Sequence, residues 1–226
     1  MCVNYVAPSR RRLLDVWDLD GDSDDWSAEI WQDYLAPIIV PGKQGRPRLL
    51  LASYGMVPQD RWPPGARAST MNARAETVDS RPSYREAWQR RRFCLVPMLG
   101  FYEPCYESGR AERWRIGRAD GAPFAVAGLW REWREADGSV LASFTQLTVN
   151  ADGHPLMGRM HRPGDEKRSL VMLAEEAEAQ WLYCREDAEA RRLLQLYPAQ
   201  SMRADPAPLP ARDAPVAAPE QGSLFD

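Results

Sequence analysis

Short apolar runs, bounded by glycine, proline and charged residues, recur through the middle of the chain. Their length and their content of β-branched and aromatic residues are typical of β-strands. Five such runs predict strands at residues 46–58, 93–97, 100–107, 139–150 and 169–173. A longer stretch, residues 113–130, contains Asp120-Gly121 between two apolar halves, which predicts a β-hairpin around that pair.

Helical spacing is found in three other segments. Tyr84 and Trp88 lie four residues apart within residues 81–93, among several arginines, which predicts an amphipathic helix. Residues 174–183 and 186–197 are also predicted to be helical, with acidic residues early in the first of them. Strands in hairpin order with helices at the periphery indicate an α+β fold, in which antiparallel sheets form a barrel-like core.

The composition of the chain changes near its C-terminus. The chain of 226 residues, 44% of them hydrophobic, is long enough for one sizeable core. The last 23 residues, 204–226, contain five prolines and six alanines and cannot build a core of their own. We therefore expect one domain over residues 1–203, with Met1 removed in the mature form, and a disordered tail over residues 204–226.

Charge and cysteine usage exclude several classes of protein. The formal net charge of −3 argues against coating of nucleic acid by bulk charge, although it leaves a local basic groove open. The four cysteines lack CxxC spacing and the two histidines lack metal-ligand spacing, so we expect no metal, no cofactor and no disulfide scaffold. Without a signal peptide or a membrane-length apolar run, a cytoplasmic protein with reduced thiols is expected.

The second residue of the chain is a cysteine, Cys2. A cysteine in this place can be an inert, buried side chain. If Met1 is removed, however, Cys2 carries two nucleophiles, because its thiol then lies beside a free α-amine. An aldehyde can react with the amine to give a Schiff base, and the thiol can then close a five-membered thiazolidine ring.

Four sequence motifs, in a fixed order, carry a resemblance to a known family. They are "MC" at the start, "MNARAET" at 71–77, "VPMLGFYEP" at 96–104 and "LMGRMHRPGDEKRSLVML" at 156–173. Up to about residue 200 the chain resembles the SRAP (SOS response-associated peptidase) family, whose members shield abasic sites in single-stranded DNA by cross-linking to them through the N-terminal cysteine. The resemblance implies a DNA-damage role, nucleoid association, and catalytic residues at Cys2, Asn72, Glu103 and His161.

The resemblance also implies a role for each residue. Glu103, otherwise an exposed carboxylate, becomes an acid with a raised pKa that shuttles protons. His161 transfers protons to the sugar ring oxygen or to the Cys2 amine. Asn72, otherwise a turn cap, hydrogen-bonds to the amine or the sugar. His154 is interpreted as a turn residue.

DNA contact requires positive charge and stacking surfaces. Arg74 is a candidate phosphate ligand, with Glu76 as its structural partner, and Arg81 is implied to touch the DNA backbone. Trp62, in a proline-rich loop, is a candidate wedge or stacking residue, with an ordinary packing role equally open. Arg90 and its two arginine neighbours are interpreted as a solvated helix end.

Four positions depart from the usual family pattern. Val3 and Asn4 stand where a glycine and an arginine are usual, and Tyr54 and Pro104 each stand in place of a tryptophan. The substitution at Asn4 removes one expected phosphate contact.

The chain ends in "QGSLFD", in which Gln221, Leu224 and Phe225 resemble the motif by which bacterial proteins dock into the replicative sliding clamp. Alternatively, this is a terminus without a function.

Three functions remain open from the sequence. The first is an abasic-site sensor that forms a thiazolidine cross-link, with strand incision by lyase chemistry and reversal of the cross-link as side activities. The second is a cysteine peptidase (a hydrolase) in which Cys2 and His161 cut the protein's own N-terminus. The third is a non-enzymatic DNA-binding adaptor recruited by the clamp. A monomer is the default expectation.

Overall fold

A computed structural model of the chain describes residues 3–19, 26–66 and 68–209. The predictions made for Cys2, Gln221, Leu224 and Phe225 lie outside these residues. No helix in the described part of the chain is long and apolar enough to cross a membrane.

Twelve strands and four α-helices make up the regular structure of the described residues. The strands are β1 (Tyr5–Val6), β2 (Glu29–Ile30), β3 (Leu35–Pro41), β4 (Pro47–Tyr54), β5 (Asn72–Arg74), β6 (Phe93–Met98), β7 (Gly100–Cys105), β8 (Glu112–Arg118), β9 (Phe124–Arg134), β10 (Val140–Asn150), β11 (Arg168–Leu170) and β12 (Met202–Pro206). The helices are α1 (Arg10–Trp17), α2 (Arg85–Gln89), α3 (Glu175–Tyr183) and α4 (Asp187–Leu193).

Five of the strands close into a barrel. Strands β4, β3, β6 and β9 follow one another, and β10 pairs with both β9 and β4, which completes the ring. A second sheet has the order β12-β8-β7-β1-β2. The strand pairs are antiparallel except that β4 and β5 both run parallel to β10. The predicted α+β class with a barrel-like core is thus confirmed.

The inward-facing side chains of the barrel join those of the second sheet in one core. Alternation along each strand turns Val96, Val126 and Phe144 to the same face. These side chains are fully buried and cluster with Phe101 and Ile116 of the second sheet. The second sheet therefore packs against the barrel interior.

The helices cover the outward face of the barrel. Trp181 of α3 stacks on Phe93 with ring centroids 4.3 Å apart, and its Nε1 donates to the carbonyl of Cys94 at 3.0 Å. Trp88 of α2 lies against the same pair, and its Nε1 donates to Asp187 at 2.7 Å. Both tryptophans are buried with their polar atoms satisfied, which fixes three helices against one wall.

The predicted hairpin over residues 113–130 is wrong. The chain does turn at Asp120-Gly121, where Gly121 has a φ of 73°. However, β8 pairs with β7 and β12, whereas β9 pairs with β6 and β10. The first seven residues of β9 are consecutively buried, which suits a strand covered on both faces. The turn residues indicate only that the chain reverses.

Two predicted boundaries also change. The predicted disorder from Ala204 is wrong for residues 204–206, because this segment continues β12 and pairs with β8 up to Pro206, opposite Trp114. Backbone pairing at a sheet edge requires no apolar side chains and tolerates a terminal proline. Helix α2 covers five residues rather than most of 81–93, because residues 81–84 form turns.

Barrel closure predicts that Gly128 cannot be enlarged. A Cβ at this position would lie 2.8 Å from both Cys94 Sγ and the carbonyl oxygen of Thr145. We expect Gly128→Ala to lower the free energy of unfolding by about 1–3 kcal/mol, measured by urea denaturation. Gly153→Ala is the control, because its Cβ would have no neighbour within 4 Å. Equal effects in the two variants would contradict this packing.

Candidate functional site

Glu103 lies on the inward face of β7, where alternation groups it with Phe101 and Cys105. Only 3% of its surface is exposed. Burial raises the pKa of the Glu103 carboxyl group from 4.5 to about 7, because the charged form loses its hydration. Near neutral pH this group is therefore a proton donor as well as an acceptor.

His161 is held beside Glu103 by the loop that follows a short 3₁₀ turn at Met157–Arg159. Its backbone N–H donates to the carbonyl of Pro104 at 2.7 Å, and Met160 forms a β-bridge with Cys105. These contacts attach the loop to β7 directly after Glu103. His161 has a φ of 63°, a left-handed conformation that is uncommon for residues other than glycine and is found at functional sites.

The hydrogen bonds of the imidazole fix its tautomer. His161 Nε2 lies 3.2 Å from the carbonyl oxygen of Arg168, which can only accept, so Nε2 carries the hydrogen. Nδ1 is then the basic nitrogen, and it lies 3.5 Å from Glu103 Oε2. Burial lowers the pKa of His161 from 6.5 to about 4. Burial thus opposes charge on both partners, and between pH values of about 4 and 7 the pair is a neutral acid facing a neutral base.

Asn72 is the first residue of β5, and its side chain is buried. In the parallel pairing of β5 with β10, Asn72 lies opposite Gln146. The two side chains therefore share one face, the inward side of the barrel. Gln146 Oε1 accepts from the hydroxyl of Tyr54 at 3.1 Å, and the Asn72 carbonyl accepts from the hydroxyl of Tyr84 at 3.2 Å. One bond fixes the Gln146 side chain beside Asn72 and the other holds the Asn72 backbone, and nothing in the local sequence indicates either contact.

Strand β1 runs antiparallel to β7, the strand that carries Glu103. Tyr5 pairs with Phe101 and Val6 with Gly100, and the N–H of Tyr102 donates to the carbonyl of Asn4 at 3.2 Å. The antiparallel register means that the chain preceding Asn4 points along β7 toward Glu103. Asn4 itself is buried.

Asn4, which stands where the family usually has an arginine, contacts other residues of the protein. The Nδ2 of Asn4 donates to Glu29 Oε1, which also accepts from Arg113 at 2.6 Å. Asn4 therefore secures β1 to its neighbours instead of meeting solvent.

Four charged side chains beside the site form a connected cluster. Arg74 Nη1 lies 2.7 Å from Glu166 Oε2, and Glu166 Oε1 lies 2.8 Å from Arg168 Nη1. Arg168 also makes two parallel bonds with Glu76, at 2.9 and 2.8 Å. The predicted pairing of Arg74 with Glu76 is wrong, because β5 ends at Arg74 and Glu76 lies in the following turn.

The other residues predicted to contact DNA lie outside this cluster. Arg81 is exposed and forms no ion pair with any residue of the described segments. Trp62 is half-buried and its Nε1 donates to the carbonyl of Val57 at 3.3 Å, so the ring is held against its own loop. Arg91 donates to the Trp88 and Arg185 carbonyls, which ties it to the helices.

Comparison with known proteins places these residues in a family context. A family model described as "SOS response associated peptidase (SRAP)" matches residues 1–208. The abasic site processing protein YoqW of Bacillus subtilis is 32% identical over 137 residues, covering 59% of this chain and 58% of that protein. YobE of the same organism, with the same description, is 32% identical over 113 residues, covering 50% and 48%. This chain thus matches less than two thirds of the length of these curated relatives.

Two solved structures resemble the whole fold. A protein from Bordetella bronchiseptica is 32% identical, with a TM-score of 0.82 and coverage of 92% of this chain and 100% of that one. A protein from Bacteroides thetaiotaomicron, 21% identical with a TM-score of 0.71 and 90% coverage of both chains, shares the fold.

The neutral pair predicts opposite pH dependences for two variants. Between pH 4.5 and about 7 the folded protein keeps a proton on Glu103 that the unfolded chain releases, so this group lowers stability as the pH rises. Between pH about 4 and 6.5 the unfolded chain binds a proton at His161 that the folded protein excludes. The contribution of His161 to the free energy of unfolding therefore increases as the pH rises through this range. In the wild type the two slopes oppose each other.

Each single substitution should expose the slope of the remaining group. Relative to the wild type, the free energy of unfolding of Glu103→Gln should rise with pH, and that of His161→Gln should fall. Each slope is limited to about 1.4 kcal/mol per pH unit. Urea denaturation between pH 4.5 and 7.5 measures both, and parallel profiles for the two variants would contradict a neutral pair.

Proposed function

The chain belongs to the SRAP family, and on this premise we propose that it processes abasic sites in DNA by capturing the opened sugar through Cys2. The observation that carries the proposal is the buried, neutral Glu103–His161 pair, toward which β1 directs the start of the chain. The names of the relatives, abasic site processing proteins, support the substrate. Single-stranded DNA is the proposed form of that substrate.

The proposed reaction joins one aldehyde to one cysteine with loss of water. The α-amine of Cys2, exposed by removal of Met1, attacks the aldehyde carbon of the opened sugar and gives a carbinolamine. Loss of the hydroxyl group as water leaves a Schiff base. The sulfur then attacks the imine carbon, the thiol proton passes to the nitrogen, and a thiazolidine results. No oxidant or metal is required.

Glu103 and His161 supply the protons that these steps exchange. The protonated carboxyl group of Glu103 donates to the departing hydroxyl, which would otherwise leave as hydroxide. Nδ1 of His161 lies 3.5 Å from Glu103 Oε2 and, because the imidazole is neutral, it can exchange a proton with the sugar ring oxygen or the Cys2 amine. Burial disfavours charge on both groups, so Glu103 keeps its proton up to a pH of about 7 while His161 stays neutral.

Asn72 and the arginines are proposed to place the substrate. The Asn72 amide, which cannot titrate, orients the amine or the open sugar. Arg74 and Arg81 are exposed cations suited to phosphate contact, and Trp62 lies in a neighbouring loop as the candidate for base stacking. Schiff-base chemistry at the same carbon also permits strand incision by elimination and reversal of the cross-link.

A denaturing gel tests the proposal directly. Single-stranded DNA with one abasic site should give a heat-stable adduct with the wild-type protein. Cys2→Ala should give no such adduct, because its remaining α-amine forms only a reversible Schiff base. Borohydride, which reduces the Schiff base, should make the Cys2→Ala adduct stable. Glu103→Gln should slow adduct formation by about 10²-fold or more. Absence of an adduct from protein with a correctly processed N-terminus would rule out the proposal.

A glycine inserted between Met1 and Cys2 provides the matched control. It retains the thiol but moves the α-amine to another residue, so the adduct should be lost while thermal unfolding is unchanged. The same assays separate the other two functions. Cleavage at the protein's own N-terminus without an adduct would favour the peptidase, and non-covalent binding alone would favour the adaptor.

We further propose that Gln221, Leu224 and Phe225 recruit the protein to the replicative sliding clamp. The leucine and phenylalanine would fill an apolar pocket and the glutamine would hydrogen-bond at its edge. A peptide of residues 215–226 should bind the clamp with a Kd on the order of 1 μM by calorimetry. Leu224→Ala and Phe225→Ala peptides should bind at least tenfold more weakly, and unchanged binding would refute the interaction.

A further inference from the structure

Glu166 neutralises an arginine that is otherwise available to DNA. Arg74 is 49% exposed, and its contact with Glu166 at 2.7 Å is its one ion pair within residues 3–19, 26–66 and 68–209. Several of its donors therefore face solvent. Glu166 is 34% exposed and is bound from its other side by Arg168. The carboxylate thus occupies one of the donors with which Arg74 could bind a phosphate oxygen.

Glu166 does not depend on Arg74 for its position. Besides the bond from Arg168 Nη1 at 2.8 Å, its Oε1 accepts from Asn150 Nδ2 at 3.3 Å. Arg168 holds the carboxylate in its charged form and keeps the pKa of Glu166 below its ordinary value. When Arg74 turns to another anion, Glu166 therefore remains in place as a fixed negative charge.

Arg168 is not itself available to DNA. It is only 3% exposed, and both of its terminal nitrogens are engaged by Glu76, Glu166 and Thr148. The cluster of two arginines and two glutamates is therefore neutral overall. A neutral cluster attracts a phosphate far less than a lone guanidinium does.

From these contacts we propose that Glu166 is a specificity-determining residue, whose carboxylate competes with DNA phosphate for Arg74 and so weakens binding to undamaged DNA. The inference rests on the proposed function of this site. Intact DNA offers only reversible contacts, so a weakened phosphate contact shortens its stay. An abasic site is retained by the covalent bond, which does not involve Arg74. Selectivity for damaged DNA therefore increases as non-covalent affinity falls.

A double-mutant cycle tests the proposal. Fluorescence anisotropy with intact single-stranded DNA measures the Kd of the wild type, Glu166→Gln, Arg74→Gln and the double variant. Glu166→Gln should bind about two- to fivefold more tightly, in keeping with a half-exposed ion pair. Its logarithmic salt dependence should steepen by about 0.7, the value of one additional phosphate contact on a single strand. The double variant should bind no more tightly than Arg74→Gln alone.

Controls separate local competition from bulk charge. Asp205→Asn removes the same charge from an exposed pair with Arg203, at 3.1 Å on the far sheet edge, and should leave the Kd unchanged. Glu166→Ala should act in the same direction as Glu166→Gln. With excess intact competitor DNA, the adduct yield of Glu166→Gln should fall below that of the wild type.

The outcomes distinguish this proposal from the function on which it rests. If the wild type forms no adduct with abasic DNA, the proposed function fails, whatever the binding data show. If it forms the adduct but Glu166→Gln binds no more tightly than Asp205→Asn, the competition is refuted. Equal tightening by Glu166→Gln in the Arg74→Gln background would also refute it, because the effect would then not pass through Arg74.

Discussion

The hydrogen bonding of strand β10 to four neighbours is the constraint on which the site depends. Pairing with β9 and β4 closes the barrel, while β5 and β11 pair farther along the same strand. This arrangement brings Asn72 on β5 and Arg168 on β11 to one end of the barrel. Through its carbonyl, Arg168 then orients His161. Loss of register in β10 would displace both residues together.

Exclusion of water gives the site its chemical character. Glu103 in water would be ionised at neutral pH and His161 would be partly charged. In the barrel core burial opposes both charges, so an ordinary carboxylic acid keeps its proton to a higher pH and an ordinary imidazole stays neutral beside it. The polar cluster of Arg74, Glu166 and Arg168 lies at the edge of this region, where charge is balanced by pairing rather than by proton uptake.

Local sequence predicted most of the strands, because strand periodicity and apolar content act over a few residues. Strand periodicity alone left Glu103 as an exposed carboxylate, and it was the family resemblance that pointed to a raised pKa for this group and to the segment that carries His161. Local sequence could not predict which strands pair, and so the prediction joined β8 to β9 in a hairpin and ended the domain within β12. The same limit explains the missed contacts of Arg74 with Glu166 and of Tyr54 with Gln146. Each joins residues about 90 positions apart through barrel closure.

The position of β1 in its sheet has a mechanical consequence. It lies between β2 and β7, and backbone hydrogen bonds hold it on both sides. A force applied to the start of the chain along the strand axis would load these bonds in shear, all at once, rather than opening them one after another. Because the pairing covers only Tyr5 and Val6 on each side, these two residues would carry the whole of such a load.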